Sequence, residues 1–455
     1  MTMENVTRRG VVGGLGTAVA LRPKSGKAAG TLTVWWSQGF YQQEDQAMKD
    51  LVAIFEKETG VKVDLQLINT PDLNTKLIAA MQVGDVPDVV KSASSDRFFQ
   101  PRMVWDNQLL DVSDIVATQE KEFLPAALQA ARYYNKATKK RGYYGVPIKC
   151  STLMEEIWRP LIEDAGMSAD AIPKTQDAFY EYFQVVQDKL RSKGKRIFGL
   201  GFSMATKEAD SNTLFHSFLN AYGGAGIVTP DGALHVEDDK IRKAATTALE
   251  RLTTPYKKGY VPPGAINWGD VDNNNAFYAK QIVMTPNATI SIAVAQMEKK
   301  DQYFRDIITT GIPAANDGKP VPSLLTVVSA FIPKAAKNID NAKAFLRWFI
   351  QPSRVNGYLK EARGRYLPVM PSALTTDPYW LDPADPHRPV AAKFGLQLPT
   401  TAWWWTYTPA YQQVVAEQIW PAAEANITQK NMTPDQAAEL AIKRIKEIFA
   451  QFPLG

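Results

Sequence analysis

Trp403, Trp404 and Trp405 stand in a row and Tyr407 follows them. Neighbouring residues of a helix or strand point in different directions, so three adjacent indoles cannot all enter one core. At least one is expected to line a cleft. Trp36 closes a short apolar run, and Trp268 lies in the loop Asn267-Trp268-Gly269-Asp270. Indole plates hold a molecule by its apolar CH faces, provided that charged or amide groups beside them exchange hydrogen bonds with its polar edge. Gln38, Asp96 and Arg97 sit in polar loops where they could supply that edge.

Residues suited to bond-breaking chemistry are not arranged for it. His216, His235 and His387 are scattered without zinc-ligand spacing, and no H-E-x-x-H, C-x-x-C, G-x-S-x-G or P-loop occurs. Paired carboxylates of the kind that cleave glycosides stay open, because they need only meet in space. Cys150 is the only cysteine, so no intramolecular disulfide can form, and it reads as a small buried hydrophobe. Neither a cofactor nor a metal is expected. The net charge of +5 is spread along the chain with no basic stripe among stacking aromatics, which excludes a nucleic-acid partner.

The elements that must position these residues begin at Thr31. Thr31–Trp36 is β-branched and aromatic without alternation, as in a strand covered on both faces. From Asp45, residues Ala47, Leu51, Ile54 and Phe55 recur at helical spacing until Gly60, and Val61 to Leu67 alternate as a second strand. A crossover of that length joins parallel strands, which puts the loop Ser37–Glu44 at a strand's carboxyl end, where open α/β sheets bind ligands. Pro71–Val83 repeats the pattern as a helix feeding the strand Asp88-Val89-Val90, with the polar loop Lys91–Asp96 after it. Asp88 reads as a carboxylate that bonds backbone amides. A strand is expected through Ile148–Ile157, and further α/β units run to about residue 350. Thr433-Pro434-Asp435-Gln436 opens a last helix with a cap, a first-turn proline and a capping-box partner. At 455 residues the chain should divide into at least two domains.

Residues 1–30 read as an export signal: Arg8-Arg9 precede a short glycine-rich apolar run, and Gly26-Lys27-Ala28-Ala29 offer small residues for cleavage. The pattern is of the twin-arginine type and predicts a periplasmic protein.

The series Thr33-Val34-Trp35-Trp36, Phe55 to Val63, Gly84-Asp85-Val86-Pro87-Asp88-Val89, Tyr144-Gly145-Val146-Pro147, Pro173-Lys174-Thr175, Ala276 to Lys280, Ser329 to Pro333 and Ala342 to Leu346 resembles the family 1 extracellular solute-binding proteins of ABC importers, the maltose-binding-protein-like carbohydrate group. Each motif is weak and the collinear series is strong. Ile157-Trp158-Arg159 departs from the family's tyrosine-asparagine-lysine at that place, and the glycine usual before the helix at 276 is missing.

The resemblance implies an α/β, two-lobed periplasmic-binding-protein fold of type II, each lobe a mostly parallel sheet flanked by helices, with crossing hinge strands. Carried onto this chain, the first lobe is 31–148 with 306–330 and the second is 149–305 with 331–455. It also implies a non-enzymatic, monomeric protein that closes on a mono- or oligosaccharide and delivers it to the transmembrane subunits of a permease. Alternatives are a glycerophosphodiester or polyamine cargo, or a periplasmic carbohydrate-processing enzyme. In the family's arrangement Trp404, Trp405 and Tyr407 fall where stacking aromatics stand, Asn287 and Thr289 follow a strand aimed at the cleft, and Arg365 and Tyr366 lie on a loop beside it.

Overall fold

Leu32–Ser37 (β1), apolar on both faces, forms a central strand in the computed structural model, which describes residues 30–206 and 209–453. The expected export segment, except its last residue, lies outside the described residues. β1 pairs in parallel with Val63–Ile68 (β2) on one side and Val89–Lys91 (β3) on the other. The crossover helix Gln42–Thr59 ends at Gly60, whose φ of 76° is a left-handed cap that glycine adopts without steric cost. Asn69 caps the next helix, Thr70–Val83, by accepting the Asp72 N–H. Asp88 behaves as its place at a strand entrance suggests. Its carboxylate accepts the backbone N–H of Thr33 at 2.9 Å, Lys337 at 3.0 Å and Asn338 at 2.8 Å, and so ties three segments together.

The remaining strands are a hairpin of Arg132–Asn135 (β4) and Lys140–Tyr143 (β5), then Val146–Thr152 (β6), Met154–Trp158 (β7), Phe198–Leu200 (β8), Ile282–Asn287 (β9), Ile307–Gly311 (β10), Ser323–Phe331 (β11), Leu367–Pro368 (β12) and Thr400–Ala402 (β13). One sheet runs β12-β6-β11-β3-β1-β2 with β13 on β11, and the other runs β10-β7-β9-β8. These two sheets with their covering helices are the two lobes. Both sheets are mixed: β1, β2 and β3 are parallel, as are β8 with β9 and β11 with β13, but β6, β7, β10, β11 and β12 also pair antiparallel. Strands that travel between the lobes enter against the direction of the strands they join.

Lobe membership differs from the sequence expectation at β6, at β10, at two helices after β11, and at β12 and β13, which lie in the first sheet although 331–455 is expected in the second lobe. β6 belongs to the first sheet as far as Thr152, so the chain crosses at Leu153, beyond the expected boundary at 148. β10 pairs with β7 in the second sheet, so 307–311 leaves the first lobe and the return falls in 312–322. Helices Ile339–Phe349 and Pro352–Lys360 pack on the first lobe, where Phe345 meets Phe55 and both Phe349 and Tyr358 meet Trp36. Periodicity reveals that a segment is a strand or an amphipathic helix, whereas its partner is chosen by a surface far away in sequence. Helix Pro434–Phe449 starts at Thr433 with the capping box to Gln436 that the sequence announces. Among the described residues no helix is long and apolar enough to cross a membrane.

Candidate functional site

The carboxyl ends of β1 and β3 deliver Ser37 and Lys91, and Lys149 comes from the middle of β6. Lys91 Nζ donates to Ser37 Oγ at 2.9 Å. Lys149 Nζ lies 3.8 Å from Glu44 Oε2 and 3.7 Å from the centre of the Tyr366 ring. Arg365 donates through Nη2 to Glu44 Oε1 at 3.1 Å and stacks 4.5 Å from the same ring. Glu44 is fixed from the other side by the first turn of helix Gln42–Thr59, where Oε1 also accepts the Phe40 N–H at 3.1 Å. Burial alone would raise the Glu44 carboxyl, but Lys149 and Arg365 outweigh it and hold the group below its usual range. Burial pushes the Lys91 ammonium down to about 8, and burial together with neighbouring Lys91 pushes Lys149 well below the lysine range.

Next to this charged cluster the lobes meet around a small void of about 10 Å³. Ser151, Thr152, Arg365 and Leu367 border it from the first sheet and its loops, and Met154, Thr289 and Ile290 from the second. Small-molecule sites usually hold roughly 300–1,000 Å³ and this void has room for no more than one water, so a solute enters only when the lobes part. Asn287 stands at the rim: its Nδ2 donates to the Thr289 carbonyl at 2.7 Å and to Ser291 Oγ at 2.9 Å, which shapes the turn that carries Thr289.

A second contact between the lobes is aromatic. Trp403 and Trp405 stack face to face, ring centres 4.3 Å apart at 10°. Trp405 Nε1 donates to Asp96 Oδ2 at 2.9 Å and Trp403 Nε1 to Thr326 Oγ1 at 2.9 Å, both in the first lobe. From the second lobe, His216 on helix Ala209–Ala221 turns the edge of its ring to both indoles. Burial lowers His216 to about 4, so it is a neutral imidazole at physiological pH, and burial raises the Asp96 carboxyl despite the adjacent Arg97.

Of the residues singled out from sequence, Arg365 and Thr289 meet at the void, with Tyr366 beneath the charged cluster and Asn287 at its rim. Trp36 is buried at the cluster's back, donating from Nε1 to Tyr358 OH at 3.1 Å with Lys91 Nζ 5.3 Å above its ring. Asp96 and Trp405 meet in the aromatic seam, and Arg97 beside them has a buried Nε without a hydrogen-bond partner. Others do not reach the void. Trp404 packs between His216 and Tyr411 in a helical interior, and Tyr407 OH is held by Thr401 Oγ1 and the Ala402 carbonyl. Gln38 is exposed to solvent, and Trp268 is half-buried against the second-lobe core. All three indoles of 403–405 are 1% exposed with the lobes in this arrangement. Sequence reasoning missed Glu44, Lys91 and Lys149. The legible signal was a lysine inside an otherwise apolar run, at Ile148-Lys149-Cys150 and Val89-Val90-Lys91.

A wider groove of about 250 Å³, lined by Asp177, Tyr180, Tyr222 and Arg251, lies between helices of the second lobe, away from the strand ends and the seam. Among the described residues no group of histidine, cysteine and carboxylate side chains could hold a metal ion.

Comparison with known proteins gives concordant results. The model of the bacterial extracellular solute-binding protein family matches residues 39–353. The chain is 20% identical over 328 residues to the multiple sugar-binding protein of Streptococcus mutans, covering 70% of this chain and 71% of that one. It is 24% identical over 354 residues to the diacetylchitobiose binding protein of Streptomyces coelicolor, covering 74% and 73%. Among solved structures, an ABC transporter solute-binding protein of Thermotoga lettingae bound to alpha-D-tagatose superposes with a TM-score of 0.73 at 21% identity, covering 93% of this chain and all of that one. A putative oligosaccharide periplasmic-binding protein of Synechococcus gives 0.75 at 16% identity, covering 93% and 100%. With two α/β lobes facing each other across polar strand ends, and a family match over more than half its length, this chain belongs to the bacterial extracellular solute-binding proteins.

Proposed function

We propose that the protein is the periplasmic substrate-binding component of a carbohydrate ABC importer. It captures a mono- or oligosaccharide between its lobes by hinge closure and hands it to the transmembrane subunits of a permease. The observation that carries this reading is the void at the lobe junction, where Arg365 and Ser151 of one lobe oppose Thr289 of the other. A hydroxylated solute bridging those groups makes contacts in the closed form that the open form cannot offer, and that difference is what closes the lobes. The relatives, a multiple sugar-binding protein and a diacetylchitobiose binding protein, support the sugar class. The three histidines, scattered along the sequence without zinc-ligand spacing, support binding without reaction.

Thermal-shift measurements against a panel of sugars test the reading, with chromatography of the same samples. A binder gains RT ln(1 + [L]/Kd) of stability and returns its ligand intact. Conversion of the ligand to product would point to an enzyme, and a shift with polyamines only would reassign the cargo. Trp405→Ala should reduce the shift of any hit, since that indole lies in the seam between the lobes.

A further inference from the structure

Three cations meet at the strand ends with one fully buried carboxylate among them. Lys91 and Lys149 are 1% and 2% exposed, and Arg365 reaches the same carboxylate, Glu44. Glu44 has little capacity to spare, because Oε1 already accepts from Phe40 and Arg365 while Oε2 faces Lys149. The other charged neighbours do not restore balance. Asp45 sits half-exposed at the edge, its carboxylate accepting the Gly39 N–H, and Arg363 over the Tyr41 ring adds another positive charge. Tyr366 and Tyr358 contribute rings and phenols, and Tyr278 faces the cluster from the second lobe with a phenol too.

Another buried cation in this molecule is matched. Arg388 has both Asp382 and Asp385 beside it. Buried charge without a counter-ion is costly, and the cluster relieves part of that cost by weakening the hold of Lys149 and Lys91 on their protons. It also keeps donors in reserve: Arg365 Nε and Tyr41 OH are buried with no hydrogen-bond partner, and Arg365 borders the void. Excess positive charge, unused donors and an adjoining void are the complement of an oxyanion.

We propose that the solute is an acidic saccharide, carrying a carboxylate or a phosphate ester that seats among Arg365, Lys149 and Lys91 as the lobes close. The sugar part of this inference rests on the function proposed above, and the anionic part rests on the cation cluster alone. Arrival of the anion favours the charged form of Lys91, whose ammonium burial brings down to about 8, so binding near pH 8 takes a proton from the buffer.

Isothermal titration of the mature protein with matched ligands tests this. The probes are galacturonate and its oligomers up to four units against galactose and neutral oligomers, glucose 6-phosphate against glucose, and glycerol 3-phosphate as an anion without a sugar ring. The expected result is a preference of tenfold or more for an acidic sugar over its neutral counterpart, with a binding heat that changes with the ionisation heat of the buffer; galacturonate and glucose 6-phosphate separate carboxylate from phosphate. Lys149→Met should weaken the acidic ligand by about 30-fold or more and a neutral one by much less. Lys91→Met and Lys149→Gln, with circular dichroism of each, guard against a folding defect. Equal or tighter binding of the neutral partner overturns the anionic inference and leaves the carbohydrate reading standing. Binding of glycerol 3-phosphate without any sugar supports the cation seat and overturns the carbohydrate reading. No binding by any acidic probe at millimolar concentration overturns the inference.

Discussion

Lys149 lies between Ile148 and Cys150 in a strand whose every residue is buried, and its ammonium has one carboxylate within reach. Replacing a buried ion by an apolar residue of similar volume is often neutral or stabilising, whereas removing the only counter-ion is not. Lys149→Met should therefore keep or raise the melting temperature of the ligand-free protein, and Glu44→Gln should lower its stability by about 3–5 kcal/mol. The Glu44 carboxyl is held below its usual range in the folded state, so its stabilisation is present above about pH 4.5 and fades as acid is added. Melting curves of wild type and Glu44→Gln should accordingly differ much at pH 7, and the difference should shrink progressively as the pH is lowered below 4.5. At this scale the sequence displayed its tryptophans and concealed its lysines. An indole cluster is visible as composition, but the functional weight of Lys91 and Lys149 arises from three segments meeting Arg365, a contact that spacing along the chain does not encode.

Elements with local punctuation were readable, and those defined by a distant partner were not. Gly60 and Thr433 mark helix ends through backbone geometry and side-chain caps that act within a few residues. β10 gave no such sign of pairing with β7, because a short apolar strand fits either sheet. The loop before β12 is punctuated too. Gly364 has φ of 80°, and an added Cβ would lie 2.5 Å from the Arg388 side chain. Gly364→Ala should cost about 1–2 kcal/mol in stability and weaken ligand binding as well, since it moves the residue next to Arg365; a binding constant unchanged beside a lowered melting temperature would separate the two roles. β7 carries Glu155 and Glu156 side by side, pointing to opposite faces that are both covered. Burial pushes each carboxyl up to about 8, with Tyr180 OH donating to Glu155 at 2.7 Å and Thr309 Oγ1 to Glu156 at 2.8 Å. A carboxyl raised on folding stabilises fully below its unfolded value near 4.5, and that stabilisation is lost as pH rises towards 8. Melting temperature should thus fall between pH 5 and pH 8, and the double variant Glu155→Gln/Glu156→Gln should flatten the slope.

For the whole molecule, the two lobes touch through the Trp403–Trp405 seam and around the small void, while the chain passes between their sheets at Leu153 and over 312–322. Hinge motion about those links lets a solute enter, so small-angle scattering should show a lower radius of gyration with a bound sugar than without. An unchanged profile at saturating ligand would rule out closure as the consequence of binding. The two-lobed order was legible from the collinear series of weak motifs, because each strand-helix unit is locally written; the lobe boundaries were not, because they depend on which sheet a strand joins. One small feature of this architecture has practical reach. Cys150, the chain's single thiol, is buried in β6, its Sγ 3.5 Å from the Pro368 carbonyl, and burial keeps it in the unreactive protonated form. A cysteine introduced on the surface near the cleft mouth could therefore be labelled selectively with a maleimide dye, which makes the native chain a ready scaffold for a reagentless optical sensor of its own cargo.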